Sequence, residues 1–534
     1  MQPMTTDRLG QTVAPPSCAS GFSLSTLVAA APLIGANGMR WGPDGRLYVA
    51  QAFGGQVSAV EVASGTTSVV SPADGAIIGP DDLAFDSHGS LYVTEVMSAR
   101  VSALRPNGKV EVIAADVPVA NGITVHADRI FMSEFNPKGR ILELSPNGGA
   151  PRVIAADMMM PNALCLGPDN KLYFPLVPLG EVWRVSVDGG EPERVAGDLA
   201  IPTAVKFDGL GRLHVVESGT GAILRIDTVT GAKVEVARVA YGIDNFAFAP
   251  DGRLFVSHFT DGSVVEIGPN GAQRQVVRGG MVGPYGMALR GDGALVVADG
   301  MSLGVVDADG GVDRPGMLLQ HGFPGYVRGV ASAADGSYVT SSSAGLVARY
   351  RPGEAAVALL SDLDRAMGVV ITPAGEVIVA EAGTGRVLAI GEAGETRVLA
   401  SGLADPTGLC LAEDGGLYVS EAGAGRVVHI ANGHVAVAMD GLREPHGVTL
   451  SGGALYALDR GTGQLHRKLE GEAAQIVARD LPVGAASGMR INTLPGIALL
   501  MPGPLSPFAD ITTLADGGIA IGGESDGSLL VLRG

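Results

Sequence analysis

Cysteine is scarce in this sequence. There are three in 534 residues: Cys18 in the N-terminal tail, and Cys165 and Cys410 at the same place in a recurring phrase (NALCLGPD, TGLCLAED). So few thiols exclude a disulfide framework, and a cysteine inside an apolar run reads as a small buried hydrophobe. This usage fits a reducing compartment, so a cytoplasmic location is the expectation. Histidine is also sparse, at nine, which together with the few thiols disfavours zinc. Runs of basic charge are absent, and 37 Lys and Arg against 55 Asp and Glu leave a net charge of −18. A nucleic-acid groove or a contact with an anionic membrane needs the opposite sign, so neither partner is expected. No apolar run is long enough to span a bilayer. The stretch LSTLVAAAPLIG (24–35) imitates a signal-peptide core, but it lacks a basic flank and reads instead as a β-strand. Nucleophile elbows, phosphate loops and dinucleotide fingerprints in a strand–helix setting are missing as well.

What the chain has in abundance is glycine, 79 residues without a collagen period, and a phrase that returns twelve times. The phrase is a polar or small residue, then Gly or Ala, an apolar run, a D-G-type turn and a second apolar run. It appears as NGMRWGPDGRLYVAQ, DNFAFAPDGRLFVSH, YGMALRGDGALVVAD and TGLCLAEDGGLYVSE. The residues that open it are Asn37, Asp81, Asn121, Asn162, Thr203, Asp244, Tyr285, Arg328, Met367, Thr407, His446 and Ala509. Their spacing is 39 to 44 residues, except for a longer last step that holds an insertion near 483–508. A period near 40 with several strands per repeat predicts an all-β chain of four-stranded propeller blades. Twelve blades exceed the usual four to eight of one ring, so two consecutive six-bladed β-propellers are expected. The expected boundaries are a tail (1–23), a first ring (24–272) and a second ring (273–534). On this reading the leading strand (24–34) completes blade six, and QRQVVRGG (273–280) completes blade twelve, so that each ring is sealed.

In a propeller the first strand of each blade lines the channel, so the opening residues converge at one mouth. In the first ring these are Asn37, Asp81, Asn121, Asn162, Thr203 and Asp244, with Asp82 and Asn245 one step on. All present oxygen. The second ring has Tyr285, Arg328, Met367, Thr407, His446 and Ala509 at the same positions, so the fold itself does not demand Asn or Asp there. Four of the chain's eleven asparagines sit in the first collar. Carboxylates crowded among amide oxygens call for a cation, and mixed hard-oxygen donors suit calcium or another divalent ion. The candidate ligands are therefore Asn37, Asp81, Asn121, Asn162, Asp244 and Asn245.

Three phrases carry a resemblance. GPDDLAF (79–85), VANGITV (119–125) and GIDNFAF (242–248) resemble phrases of the six-bladed superfamily of gluconolactonases, senescence marker protein and paraoxonases. The family's repeats are NHL-like and here look duplicated. The order of the phrases matches after rotation by one blade, with Asp81 where a Glu is usual and Thr203 where Asn is frequent. The resemblance implies a divalent cation at this mouth and hydrolysis of a lactone or ester, with a small molecule as substrate.

For the base that activates water, His258 ends the second strand of the blade carrying Asp244, and Asp82 is the alternative. Glutamates at other second-strand ends, as in EAGTGRV and EAGAGRV, read as tethers to the Arg five residues on. Two rival readings accompany the hydrolase. One is a non-catalytic binding or scaffold propeller with a structural ion. The other is a lyase working at the second ring's Tyr285, Arg328 and His446, whose phrases GPYG, YVRG and EPHG faintly resemble virginiamycin B lyase repeats.

Overall fold

Aspartate and glycine have separate tasks in the turn between the first two strands of each blade. The Asp carboxylate accepts the backbone N–H two residues on: Asp44 from Arg46 at 3.1 Å, Asp251 from Arg253 at 3.1 Å, Asp414 from Gly416 at 2.9 Å. The glycine takes a positive φ, as at Gly45 (81°) and Gly252 (86°), which closes the hairpin without a Cβ penalty. A different constraint sets the Gly or Ala that follows the opening residue in nine of the twelve repeats. A Cβ on Gly122 would lie 2.6 Å from Ala163 Cα, because neighbouring first strands converge there.

These elements assemble in a computed structural model that describes residues 4–342, 344–391, 394–484 and 508–534. The structure is all-β. Twelve four-stranded antiparallel sheets form two six-bladed propellers, and the described residues include no α-helix, only three-residue 3-10 turns at Val177–Leu179 and Ala422–Ala424. The first ring comprises sheets 39–71, 80–115, 120–158, 165–196, 202–238 and 243–277. Its innermost strand Ile243–Phe248 packs against Met39–Trp41, which closes the circle. The second ring comprises sheets 287–317, 327–360, 366–400, 406–439, 445–479 and 511–533, and Met287–Leu289 packs against Ile511–Thr513. All but the two ends of the expected insertion at 483–508 lies outside the described residues.

The chain route corrects the expected boundaries. Gln273–Val277 stays in blade six, paired with Val264–Ile267, and the leading strand Ser23–Val28 pairs with Ser528–Arg533 in blade twelve. Keeping 264–277 as a local hairpin costs little loop-closure entropy, whereas exporting its last strand forfeits that pairing. The first ring thus closes on its own sheets and is inserted between the second ring's first strand and the rest of that ring. Ser17–Cys18 adds a short fifth strand to blade eleven by pairing with Ala478 and Arg479.

The two rings meet through their mouth faces. One apolar cluster joins Phe53, Met97, Phe135, Met160 and Phe259 of the first ring to Tyr285, Met301, Leu318, Tyr326 and Met367 of the second. Phe53 and Tyr326 meet across it, their rings tilted with centroids 5.8 Å apart. Arg8 pins the N-terminal segment into the same seam. Its guanidinium donates to Ser525 O (2.9 Å) and Val282 O (2.9 Å) in the second ring, while its own carbonyl accepts from Gln56 Nε2 (2.8 Å) in the first.

Deleting residues 1–28 is expected to unseal the second ring alone. Hydrogen exchange in the truncated chain should show loss of protection at 528–533 with protection retained at 264–277. Loss at 264–277 instead would restore the alternative strand exchange.

Candidate functional site

The collar of the first ring is held from behind. A hydroxyl near the end of one blade's second strand grips the carbonyl of the next blade's mouth residue. Thr94 donates to Asn121 O, Ser133 to Asn162 O at 2.9 Å, and Ser257 to Asn37 O at 2.7 Å. With their backbones fixed, the mouth side chains point to a common centre. Asn37, Asp81, Asn121, Asn162, Thr203 and Asp244 line one cavity there. All of them are buried except Asp244, which is partly exposed.

The second ring roofs this cavity. Met301, Leu318 and Leu319 cover it from above, and Phe53, Val96, Met97, Phe135 and Phe259 wall it from the first ring. The enclosed space leaves about 40 Å³ for the centres of water-sized bodies. One water needs roughly 10–15 Å³ by that measure, whereas organic ligands occupy clefts of about 300–1,000 Å³. An ion with a water or two fits; a lactone does not.

The electrostatics fit a cation. Burial, then the charges of Asp244 and Asp82, pushes the Asp81 carboxyl well above the usual carboxylate range. Asp244 is raised by burial and by Asp82, against which a hydrogen bond from Asn37 acts. Among the described residues no basic side chain lines the cavity; the buried Lys206 ammonium, outside the lining, lowers Asp244 in part. Asn121 Oδ1 is buried without a hydrogen-bond partner, an acceptor left facing no donor. Asn37 Oδ1 and Asn162 Oδ1 each already accept a backbone N–H, from Ala52 at 3.1 Å and Ala163 at 2.7 Å, and keep one lone pair; with Asn121 Oδ1 and the two carboxylates they make a hard, mixed-charge donor set of the kind calcium takes. Among the described residues no three His, Cys, Asp or Glu side chains gather as a metal group, so any ion here depends on the asparagines.

Three expected site residues are elsewhere. Asn245 Oδ1 accepts the N–H of Phe246 at 2.8 Å and does not line the cavity. Asp82 is a clamp between blades, its oxygens accepting from Leu83 N (2.9 Å) and Ile123 N (3.1 Å). Asp510, one step past the opening residue of blade twelve, makes the same contact with Met287 N at 3.0 Å, so the second ring repeats the device without any collar. His258 is buried beside the loop that leads into its own blade. Its Nε2 donates to Ala240 O at 3.0 Å, and Ser263 Oγ lies 3.2 Å from Nδ1. Neither Asp82 nor His258 reaches the cavity, so neither is placed to activate water there. The same second-strand position is structural around both rings: Glu95, Glu217, Glu381 and Glu421 accept from backbone N–H groups of the incoming loops at 2.6–3.0 Å.

The second mouth is packed shut. Tyr285 and Tyr326 hydroxyls lie 3.3 Å apart inside the apolar seam, and burial raises Tyr285 to about 12. Arg328 donates to Ala366 O at 2.9 Å, and His446 Nδ1 accepts from Ala509 N at 3.3 Å. Tyr285, Arg328 and His446 are each spent on fastening their blade to the next. Sequence reasoning missed the roof, although its signal is legible: Phe53, Met97, Phe135 and Phe259 are large apolar residues in turns just past second strands, where solvent-facing turns are polar.

No family model matches the sequence, and no curated protein matches it. Among solved structures, a streptogramin B lyase is 20% identical, with a TM-score of 0.39 over 52% of this chain and 94% of its own. Virginiamycin B lyase from Staphylococcus aureus is 17% identical, with a TM-score of 0.39 over 52% of this chain and 96% of its own. A gluconolactonase from Xanthomonas campestris is 18% identical, with a TM-score of 0.37 over 48% of this chain and 95% of its own. Likeness at this level carries no argument about chemistry.

The raised carboxyls predict a pH signature. A buried acid whose folded pKa is raised contributes most below its unfolded value of about 3.9 and loses that contribution as pH rises through the folded value. In chelator, the thermal midpoint should therefore fall as pH rises from about 4 to about 7, the value to which Asp244 is raised. Asp81→Asn should flatten the fall, and so should added calcium; a slope unchanged by either would remove the collar as its source.

Proposed function

We propose that the first mouth is a resident divalent-cation site, calcium by its donor chemistry, and that the ion is structural. Asp81 and Asp244 would hold it, with amide oxygens from Asn37, Asn121 and Asn162. On this reading the chain is a non-catalytic binding or scaffold propeller, and the ion fastens the mouth against the facing ring. The roof of Met301, Leu318 and Leu319 over a space fit only for an ion carries the reading. A cation enclosed there offsets the repulsion between the two acids and supplies a partner for Asn121 Oδ1.

A second reading keeps the collar for catalysis: a calcium-dependent hydrolase of a lactone or ester. The partial exposure of Asp244 favours it, because that side of the collar is the one not wholly closed. A divalent ion there would supply Lewis-acid polarisation of a carbonyl. This reading needs the roof to lift and a base other than His258 or Asp82.

Elemental analysis of the purified chain and of Asp244→Asn, with a panel of lactones and aryl esters, separates the two. The structural reading expects about one calcium per chain, calcium affinity reduced at least tenfold in the variant (about 1.4 kcal/mol), and no calcium-dependent turnover. Turnover abolished by chelator and restored by calcium would establish the hydrolase instead. A wild-type chain without stoichiometric metal would remove both.

A further inference from the structure

The first ring's channel has a second opening on the face away from the other ring, and the residues that reach it are not those a spacer needs. The first strands deliver their third and fourth residues past the mouth to this end. They line an open cavity of about 270 Å³. Two are cations, Arg40 and Lys206, and no Asp or Glu is in the lining. The second ring supplies the control. Its equivalent cavity, about 280 Å³, has Ala288, Ala331, Val370, Cys410, Thr449 and Thr512 at the positions corresponding to Arg40 and Lys206, and no Lys or Arg. The fold therefore does not demand cations here.

The donors at this end are short of acceptors. Lys206 is 7% exposed, and its Nζ has one acceptor, Met39 O, at 3.3 Å, with the Phe246 ring 5.9 Å away. Burial and then the charge of Arg40 bring the ammonium down to about 7, while Asp82 and Asp244 act on it from outside the cavity lining. Arg40 spends Nε on Leu83 O (3.0 Å) and Nη2 on Ile123 O (2.8 Å), and Nη1 makes no hydrogen bond among the described residues. The indole N–H of Trp41, on the same wall, is buried with no partner at all. Around these donors the wall is aromatic, with Trp41, Phe207 and Phe248. A buried ammonium and a buried indole N–H short of acceptors cost stability unless an anion completes them, and the part-exposed Arg40 adds charge beside them.

We propose that this far-face cavity binds a small organic carboxylate with an apolar body. The carboxylate is held by Lys206, Arg40 and the Trp41 N–H, and the apolar body rests on Phe207 and Phe248. The cavity is the right size for an acid of this kind and too small for a peptide. Its two cations differ in role: the guanidinium is fixed by carbonyls, and the lysine ammonium is the freer partner.

Benzoate is a suitable probe. The chain has two tryptophans, so Trp183→Phe leaves Trp41 as the sole indole reporter. Titration of benzoate into that variant should give a saturable change in emission. Lys206→Met should weaken the binding at least about tenfold, and Lys206→Arg should keep most of it. Trp41→Phe, followed by calorimetry in the otherwise native chain, should weaken binding several-fold while leaving the ring in place. Thermal melts of each variant confirm the fold; removing the buried ammonium should leave the melting point equal or higher. Three results would overturn the proposal: no saturable change with benzoate, equal affinity with and without Lys206, or binding of inorganic phosphate in preference to benzoate.

Discussion

Apolar contact between two propeller faces governs this molecule. A propeller mouth is ordinarily its wettest surface, where loop ends and channel open together. Here the turns around the first mouth carry Phe53, Met97, Phe135 and Phe259, and the second ring presents Met301, Leu318 and Tyr326 to them. Removing that apolar area from water drives the two mouths together. The consequence is electrostatic. Asp81 and Asp244, tolerable in an open solvated channel, are drawn into a small space lined by asparagine oxygens, with no basic side chain among the described residues of its lining. Desolvation makes the pair expensive as anions, and a cation is the simplest relief. Hydrophobic packing and the ion site are thus one design seen from two sides.

The chain route supports that design. The second ring is begun by Ser23–Val28, interrupted by the whole first ring, and finished by Ser528–Arg533. The first ring is therefore held between the two ends of its neighbour's closing sheet. Arg8, part-buried and lowered by desolvation to about 10, adds a hydrogen-bonded rivet at the same seam. Separating the faces has to disturb these contacts as well as the apolar cluster.

Much of the architecture could be read from the sequence, because each blade repeats local chemistry: an Asp carboxylate closing a turn, a glycine where first strands converge, an apolar second strand. The collar was also legible, since Asn37, Asp81, Asn121, Asn162 and Asp244 share one position in five repeats. Which strand closes which ring was not. Pairing Ser23–Val28 with either ring satisfies the same apolar alternation, and only the local hairpin 264–277 decides. The direction of His258 was hidden too, because its place at a second-strand end does not say whether it faces the channel or the incoming loop; its bonds to Ala240 and Ser263 take it to the loop. Asp82 and Asp244 look alike in sequence, yet pleating turns the first to its neighbour's backbone and the second to the mouth. The roof was missed because it joins residues from separate rings, a long-range pairing that no periodicity records.

The most direct test of this account is a crystal structure with long-wavelength anomalous diffraction from protein purified without chelator. The account predicts one calcium peak in the first mouth, ligated by Asp81 and Asp244 with the collar amides, beneath Met301, Leu318 and Leu319. A mouth open to solvent, or a closed mouth holding only water between the two acids, would contradict it.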